Sequence, residues 1–474
     1  MFNSKIIIGG DKFDSKDSKR VVIKSPTDGS EIGTTELATK EQVDEAFKSA
    51  KQAKDGWMNT PLYEKYQIFK KISDELNERK QEIAKLITEE ISKPLKDSIS
   101  EVERSADFIL SVAELKRSQN GKSNSGDSMK GYLKNQKTSI VEMIPVGVVL
   151  CISPFNYPIN LSVSKIAPAL IGGNTVVFKP SSQGSLSGYI LAEIFNKYLP
   201  SGVINFITGA GSEIGDYLIE HEDLDMINFT GSTEVGQHIK KISKVPYLLE
   251  LGGKDFAIVS NNANIEKSVK QIVQGAFSYS GQRCTAVKSV LVIDSIYEEF
   301  MTMLKEETMK LTVGNPIDNT NISCLINMKA ADFAEELANE AIAKGAKPSW
   351  EPKREDNLVY PLILEVSDIT TRILFEEQFA PILPVYKVSS IDEAIHLANR
   401  SKYGLQADVF TNDINEAFNM ARKLEVGTVQ INGKSDRGPD NFPFLGIKAS
   451  GSGTQGIEES IKAMQREKVI VINL

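Results

Sequence analysis

From residue 146 onward the chain alternates between short β-branched runs and helix-forming stretches, and no other feature limits its fold as strongly. VGVVLCIS, NTVVFKPS, GVINFITG, MINFTGS and YLLELGG read as strands, separated by helical segments such as SGYILAEIFNKYL and TEVGQHIKKIS. Strands that alternate with helices need right-handed crossovers, which lay the strands parallel in a covered sheet. A second series follows: DFAIVS, a helix after Ala263, SVLVIDS, helices around 297–310 and 330–344, then PLILEVS, ILPVYKV, ADVFTN and TVQING. The fold class is therefore α/β. The length of 474 residues, against a modal domain of about 150, leads us to expect two or three domains.

The flanks read differently. Residues 1–40 form short strands and turns, and Thr39 to Arg117 is a long helical region opened by a Thr cap, with Pro94 ending one helix. Residues 118–128 are a polar Gly/Ser/Asn stretch, and 129–147 alternates like an exposed hairpin. The terminal EKVIVINL is an apolar strand in need of a partner, which a second subunit would supply.

Charge excludes some functions. Lys plus Arg is 55 against 63 Asp plus Glu, net −8, so nothing global favours nucleic acid or an anionic membrane surface. The N-terminal Ile run has three residues, too short for a signal peptide. The uncharged stretch Met143 to Ser164 contains Pro145, Pro154 and Pro158, which would break a membrane helix repeatedly. A cytoplasmic protein is expected. Three cysteines make no disulfide framework and fit a reducing compartment. Three histidines leave little room for a His-rich metal site or for a Cys–His or Ser–His arrangement.

Several positions carry chemistry. In FSYSGQRCTAVK, Cys284 is flanked by Arg283 and Lys288, and nearby positive charge favours the thiolate; the alternative is a small buried residue at a helix start. Cys151 and Cys324 lie in apolar runs and read as inert core. Glu250 closes a strand before the glycines of LLELGGKD, which suits a general base with a raised pKa; a cap or an ion pair with Lys254 is the alternative. Asn156 sits between two prolines in SPFNYP, where a rigid amide suits a developing oxyanion and an Asx-turn is the plainer reading. GAGSEIG, with Gly209, Gly211 and Gly215, is one residue longer than the dinucleotide fingerprint and is a weak signal. FTGSTEVG offers Gly231 and Ser232 at a strand–helix junction, where free amides meet a pyrophosphate unless the loop is a plain turn. Lys179 and Ser182, just past a strand end, would tolerate a ribose 2′-phosphate better than a carboxylate would.

Taken together, SPFNYP, KIAPALIGGNTVVFKPS, NFTGSTEVG, ELGGK, FSYSGQRC, FEEQFAP and NFPFLGIKASGSG resemble the aldehyde dehydrogenase superfamily, in family order and over the full length. Within it the chain most resembles the NADP-dependent non-phosphorylating glyceraldehyde-3-phosphate dehydrogenases, through NYPINLSVSKIAPAL, QGSLSGYILAE, ITGAGSEIGDYLIEH, GAFSYSGQRCTAVK and GPDNFPFLG. The resemblance implies two Rossmann-like parallel-sheet domains and a small β oligomerisation element: 1–120 with 141–250 for NADP, 251–440 for catalysis, and 121–140 with 441–474 for a homotetramer. It implies irreversible oxidation of D-glyceraldehyde 3-phosphate to 3-phosphoglycerate through a cysteine thioester hydrolysed by water. In this reading Cys284 is the nucleophile, Glu250 the base for water and Asn156 the oxyanion donor. Ser153, Lys179, Ser182, Asp216, Gly231, Ser232, Leu251 and Glu377 hold the cofactor. Arg104, Asn156, Tyr157, Arg283, Thr285 and Arg437 hold the substrate, since a phosphorylated aldehyde needs fixed guanidinium donors.

There are departures. FEEQFAP has Gln378 and Ala380 where the family more often shows Pro or a small apolar residue, then Gly; the Ala380 Cβ is expected to crowd the Glu377 turn. Other readings are the same chemistry on succinate semialdehyde or lactaldehyde, acyl transfer to phosphate or coenzyme A, which the presence of Glu250 argues against, and an idle binding protein of this fold.

Overall fold

The fold was analysed in a computed structural model that describes residues 2–119, 121–130 and 137–473. The helical region opens on Thr39, whose Oγ1 accepts from the Gln42 amide at 3.3 Å while Gln42 Oε1 accepts from the Thr39 amide at 3.2 Å, a reciprocal capping box. Four helices follow: α1 (Lys40–Asn59), α2 (Leu62–Glu78), α3 (Lys80–Ile91) and α4 (Leu95–Ser118). Between α3 and α4, Ser92 turns left-handed (φ 56°) and Pro94 caps the next helix.

This turn carries an ion pair buried on both sides, Lys93 Nζ to Glu101 Oε2 at 2.6 Å. Glu101 Oε1 also accepts from the Ile159 and Asn160 amides at 2.9 and 3.0 Å, and Lys93 Nζ donates to the Asn156 carbonyl at 3.2 Å. Removing either partner would strand a charge out of water, at about 3–5 kcal/mol. The pair therefore pins the proline-bounded loop at 154–158 to α4.

Among the described residues the first sheet has eight strands, in the order Gly451–Ser452, Tyr247–Glu250, Met226–Thr230, Val148–Ile152, Thr175–Lys179, Ile204–Phe206, Ile6–Ile8, Asp11–Phe13. The five central strands are parallel. Both faces are buried: Val149, Cys151, Val176 and Phe178 point into one core, while Val148, Leu150 and Val177 point into the other. The first core is backed by α5 (Asn160–Ile171), buried at every position, and by α6 (Ser185–Tyr198). The second sheet runs Lys347–Pro348, Leu362–Val366, Ile382–Val388, Val287–Ile293, Asp255–Val259, Gln406–Phe410, Thr428–Ile431 and is likewise covered on both faces.

In the first sheet the chain steps from 148–152 through 175–179 to 204–206, then returns to the other side of 148–152 for 226–230 and 247–250. The strand order reverses between 148–152 and 226–230, and ligands of open α/β sheets bind beyond the carboxyl ends at such a point. Ser153, Lys179, Gly231 and Glu250 all lie at these ends.

The third sheet corrects two expectations. The C-terminal strand Gln465–Asn473 is not unpaired within the subunit: it runs antiparallel to Lys137–Pro145 in unbroken register from Gln465↔Pro145 to Asn473↔Lys137. Lys122–Ser125, read as polar loop, pairs with the other edge of 137–145. Both faces of that strand are exposed, so no hydrophobic alternation marks it. Of the expected hairpin at 129–147, residues 131–136 lie outside the described residues. The far edge of the C-terminal strand is open, with Val469 and Val471 each 55% exposed. Among the described residues no helix is long and apolar enough to cross a membrane.

Candidate active site

Cys284 follows a turn the chain must be forced into. Tyr279, Ser280 and Gly281 are all left-handed (φ 51°, 54° and 72°), and each such non-Gly residue costs about 1–3 kcal/mol. Buried contacts hold it: Ser280 Oγ donates to the Ser323 carbonyl at 2.8 Å and accepts from the Ser323 amide at 2.9 Å, and Tyr279 Oη donates to the Ile91 carbonyl at 3.3 Å. A Cβ on Gly281 would come within 2.6 Å of the Ala380 carbonyl oxygen, which is why FSYSGQRC needs its glycine.

The half-buried Cys284 donates from Sγ to Glu250 Oε1 at 3.3 Å. Glu250 is 2% exposed. Its Oε2 accepts from Thr230 Oγ1 at 3.2 Å and pairs closely with Arg437 Nη1. Behind it, Lys165 Nζ donates to Thr230 Oγ1 at 2.6 Å. Burial pushes the Glu250 carboxyl up, but the charges of Arg437 and Lys165 and the hydrogen bonds from Cys284 and Arg437 outweigh burial and hold it below the usual carboxylate range. The expected raised pKa is thus corrected. The alternative reading, an ion pair with Lys254, is not what forms: Lys254 donates to the Ile373 carbonyl at 2.6 Å and to Gln378 Oε1 at 2.7 Å.

The thiol moves the other way. Low-polarity surroundings and the Glu250 charge push Cys284 well above the ordinary thiol value, against the pull of Lys288 and Arg437. Arg283, expected to favour the thiolate, has turned away, with Nη2 donating to the Gly275 carbonyl at 2.5 Å. In this state the single negative charge rests on Glu250 and the thiol keeps its proton. Cys151 and Cys324 are buried.

Asn156 is 3% exposed. It donates from Nδ2 to the Gln282 carbonyl at 2.9 Å, which brings its amide to the nucleophile's loop. Next to it, Arg104, Tyr157 and Arg283 line a cavity of about 260 Å³ with Lys93, Glu101 and Asp436. The Arg283 Nε is buried with no hydrogen-bond partner among the described residues. Arg104 is held by Asp440 in a two-pronged pair, 2.6 and 2.7 Å, and donates to the Arg437 carbonyl at 2.5 Å. The Arg437 guanidinium lies elsewhere, on Glu250 and on Gln455 Oε1 at 2.5 Å, so the structure does not bring it into the cavity of the other two arginines. Thr285 is buried beside Cys284.

The remaining predicted residues cluster at the carboxyl edge of the first sheet. Lys179 is buried, and its Nζ donates to the Pro180 carbonyl at 3.3 Å; burial alone pushes its pKa down to about 8. Ser153 donates from its amide to the Lys179 carbonyl at 3.2 Å, and Ser182 is exposed two residues past Pro180. Ser232 caps α8 (Thr233–Ile242), accepting from the Val235 amide at 3.4 Å. A Cβ on Gly231 would come within 2.5 Å of the Phe229 ring. Leu251 packs against Gly236, where a Cβ would come within 2.1 Å of it. Asp216, exposed on α7 (Gly211–Ile219), bonds to His238 Nε2 at 2.8 Å. Glu377 Oε1 accepts from the Gly253 amide at 3.1 Å. Glu377 crowds Gly252, and the Cys284 carbonyl crowds Gly253, which explains the glycine pair of ELGGK. A desolvated ammonium facing only a carbonyl, and a glycine turn at a capped helix start, fit a dinucleotide carrying an extra phosphate.

The two departures are resolved together. Ala380 is buried, and Gln378 donates from Nε2 to the Lys288 and Ile382 carbonyls at 3.0 and 2.7 Å while accepting from Lys254. The backbone strain of that turn falls on Phe379 (φ 48°). Sequence reasoning missed Lys165 and Thr230; the available signal was the single cation in the apolar helix NLSVSKIAPALI.

A buried thiol–carboxylate–amide set at the meeting of two parallel-sheet units defines a cysteine-dependent α/β enzyme class. The chain belongs to the aldehyde dehydrogenase family, which residues 13–470 match. It is 47% identical over 458 residues to the NADP-dependent glyceraldehyde-3-phosphate dehydrogenase of Streptococcus equinus, covering 96% of each chain. It is 43% identical to the protein so named from Pisum sativum, covering 97% of this chain and 93% of that one. A crystal structure of NADP-dependent glyceraldehyde-3-phosphate dehydrogenase from Bacillus halodurans C-125 complexed with NADP superimposes with a TM-score of 0.99, at 46% identity over 100% of both chains.

If Arg437 keeps Glu250 ionised, Arg437→Met leaves burial less opposed and the Glu250 pKa rises. A base acts when ionised, so activity is present above its pKa and lost as pH falls through it. The acid limb of thioester hydrolysis is expected to move to higher pH in the variant. An unshifted pH profile would contradict the role.

Proposed function

We propose that this chain is an NADP-dependent, non-phosphorylating glyceraldehyde-3-phosphate dehydrogenase, oxidising D-glyceraldehyde 3-phosphate irreversibly to 3-phosphoglycerate. The observation that carries this is the Cys284 Sγ standing 3.3 Å from a buried Glu250, one residue along from an arginine-lined cavity. The similarity to relatives of that name supports the substrate and cofactor.

The chemistry follows from the residues. The substrate phosphate is held by Arg104, Arg283 and Tyr157, which places the aldehyde over Cys284. Arg437 reaches that anion only by leaving Glu250. Cys284 loses its thiol proton to solvent as its sulfur attacks the carbonyl carbon, and the oxygen of the resulting thiohemiacetal is stabilised by the Asn156 amide and the Cys284 backbone N–H. Lys179, Ser182, Gly231, Ser232 and Glu377, with Ser153, Asp216 and Leu251 around them, would hold NADP⁺, which when bound would supply the hydride acceptor for oxidation to the thioester. Glu250 then takes a proton from water, whose oxygen attacks the thioester and frees Cys284 and the acid.

Glu250→Gln removes that base without removing the nucleophile. A mixing experiment is expected to give about one equivalent of NADPH per site and then stall, whereas Cys284→Ser gives no burst. Steady turnover in either variant refutes the assignment.

Substrate and cofactor are tested together. Removing the substrate phosphate is expected to lower kcat/KM by about 100-fold or more, a loss of charge-assisted contacts of about 3 kcal/mol. Lys179→Ala is expected to raise the KM for NADP⁺ while leaving that for NAD⁺ within about twofold. Equal use of glyceraldehyde would favour a dehydrogenase of another small aldehyde.

The third sheet, with its open apolar edge, serves assembly into a homotetramer in this reading. A monomeric mass in solution would overturn that.

A further inference from the structure

Lys288 is the second residue of the strand Val287–Ile293, its side chain is 1% exposed, and the mechanism above gives it no part. Its Nζ donates to the carbonyl of Cys284 at 2.5 Å and to that of Ala286 at 3.4 Å, and lies 3.4 Å from Glu377 Oε1. An ammonium has three protons to give, and these three acceptors surround it. One is the nucleophile's own peptide; another is the carboxylate on the cofactor side of the site.

The backbone of Lys288 is held as firmly. Its carbonyl accepts from Gln378 Nε2 at 3.0 Å, and Gln378 is fixed by Lys254 Nζ at 2.7 Å and by the Ile382 carbonyl at 2.7 Å. Glu377 and Gln378, adjacent in the chain, thus grip Lys288 at its two ends, the first by the ammonium and the second by the peptide. The charged groups around it are Glu377 on that turn, with Lys254 and Asp255 at the start of the neighbouring strand. The thiol itself faces Glu250, Arg437 and Lys288.

We infer that Lys288 is a positioning residue for the nucleophile: its fixed ammonium ties the peptide of Cys284 to Glu377 and keeps a cation beside the sulfur. Arg283, the neighbouring cation in sequence, does not do this because its side chain is turned away, with Nη2 on the Gly275 carbonyl and the guanidinium lining the neighbouring cavity. A compact ammonium suits three closely spaced acceptors better than a planar fork does. The inference rests on the reading of Cys284 as nucleophile and Glu377 as a cofactor-side group.

The test uses the full-length protein without cofactor. Iodoacetamide modification of Cys284 is followed by mass spectrometry across pH 6 to 10 in the parent, in Lys288→Met and in Lys288→Arg. Loss of the cation is expected to slow modification near pH 8 by about tenfold, displacing the profile by about one unit, with Lys288→Arg recovering most of the rate. Lys288→Gln, which keeps a donor for the Cys284 carbonyl but no charge, is judged by the same criterion if Lys288→Met fails to fold. A variant that binds NADP⁺ normally, yet whose profile overlays the parent's within about twofold, overturns the proposal. Failure of the underlying reading looks different: modification of Cys284 in the parent would then leave turnover intact.

Discussion

A carboxylate with 2% of its surface in water stays ionised only if its surroundings replace the solvent it has lost. At Glu250 they do. Arg437 arrives from 187 positions further along the chain, Thr230 from the adjoining parallel strand, and the buried Lys165 stands behind Thr230. Each is fixed by another group: the Arg437 backbone by Arg104, and Arg104 in turn by Asp440. The substrate cavity and the base therefore share one electrostatic framework. A change at Arg104 reaches Glu250 through Arg437.

The same economy governs the loops. Gly252 and Gly253 are glycines because Glu377 and the Cys284 carbonyl occupy the space a side chain would need. Three left-handed residues in a row before Cys284 persist because Ser280, Ser323 and Tyr279 leave them no alternative. In the Asn156 loop, Lys93 holds the Asn156 carbonyl and Glu101 the Ile159 and Asn160 amides that follow it. Cys284 and Asn156 sit on irregular backbone, but each loop is tied by these bonds to the helices and sheets that carry it.

Much of this was legible in the amino-acid sequence. The parallel strands were, because β-branched runs buried on both faces have few other uses. Cys284, Glu250 and Asn156 were, because each lies in a short motif whose glycines and prolines announce a constrained turn. The direction of the Glu250 pKa was not: its cause, Arg437, is distant in sequence, and the local signal pointed to burial alone. The effect of Arg283 on the thiol was misread for the converse reason, since adjacency to Cys284 says nothing about where a long side chain points. The Lys122–Ser125 strand was invisible because its side chains are exposed on both faces. Gln378 stood out as a departure, yet only the folded chain reveals that its three hydrogen bonds join Lys254, Lys288 and Ile382.

The ammonium of Lys179 has one further consequence. Desolvated beside the Pro180 carbonyl, it has its pKa pushed down to about 8 by burial. An anion seated against it stabilises the protonated form, so binding a phosphorylated ribose takes up a proton wherever the lysine was neutral, and affinity falls as the medium grows more alkaline than that value. A dinucleotide with a plain hydroxyl at the same place gains nothing from the charge and carries no such dependence. Where Lys179 holds the phosphorylated ribose as proposed, discrimination between the two cofactors becomes a function of acidity: greatest where the lysine is fully charged, and eroding on the alkaline side.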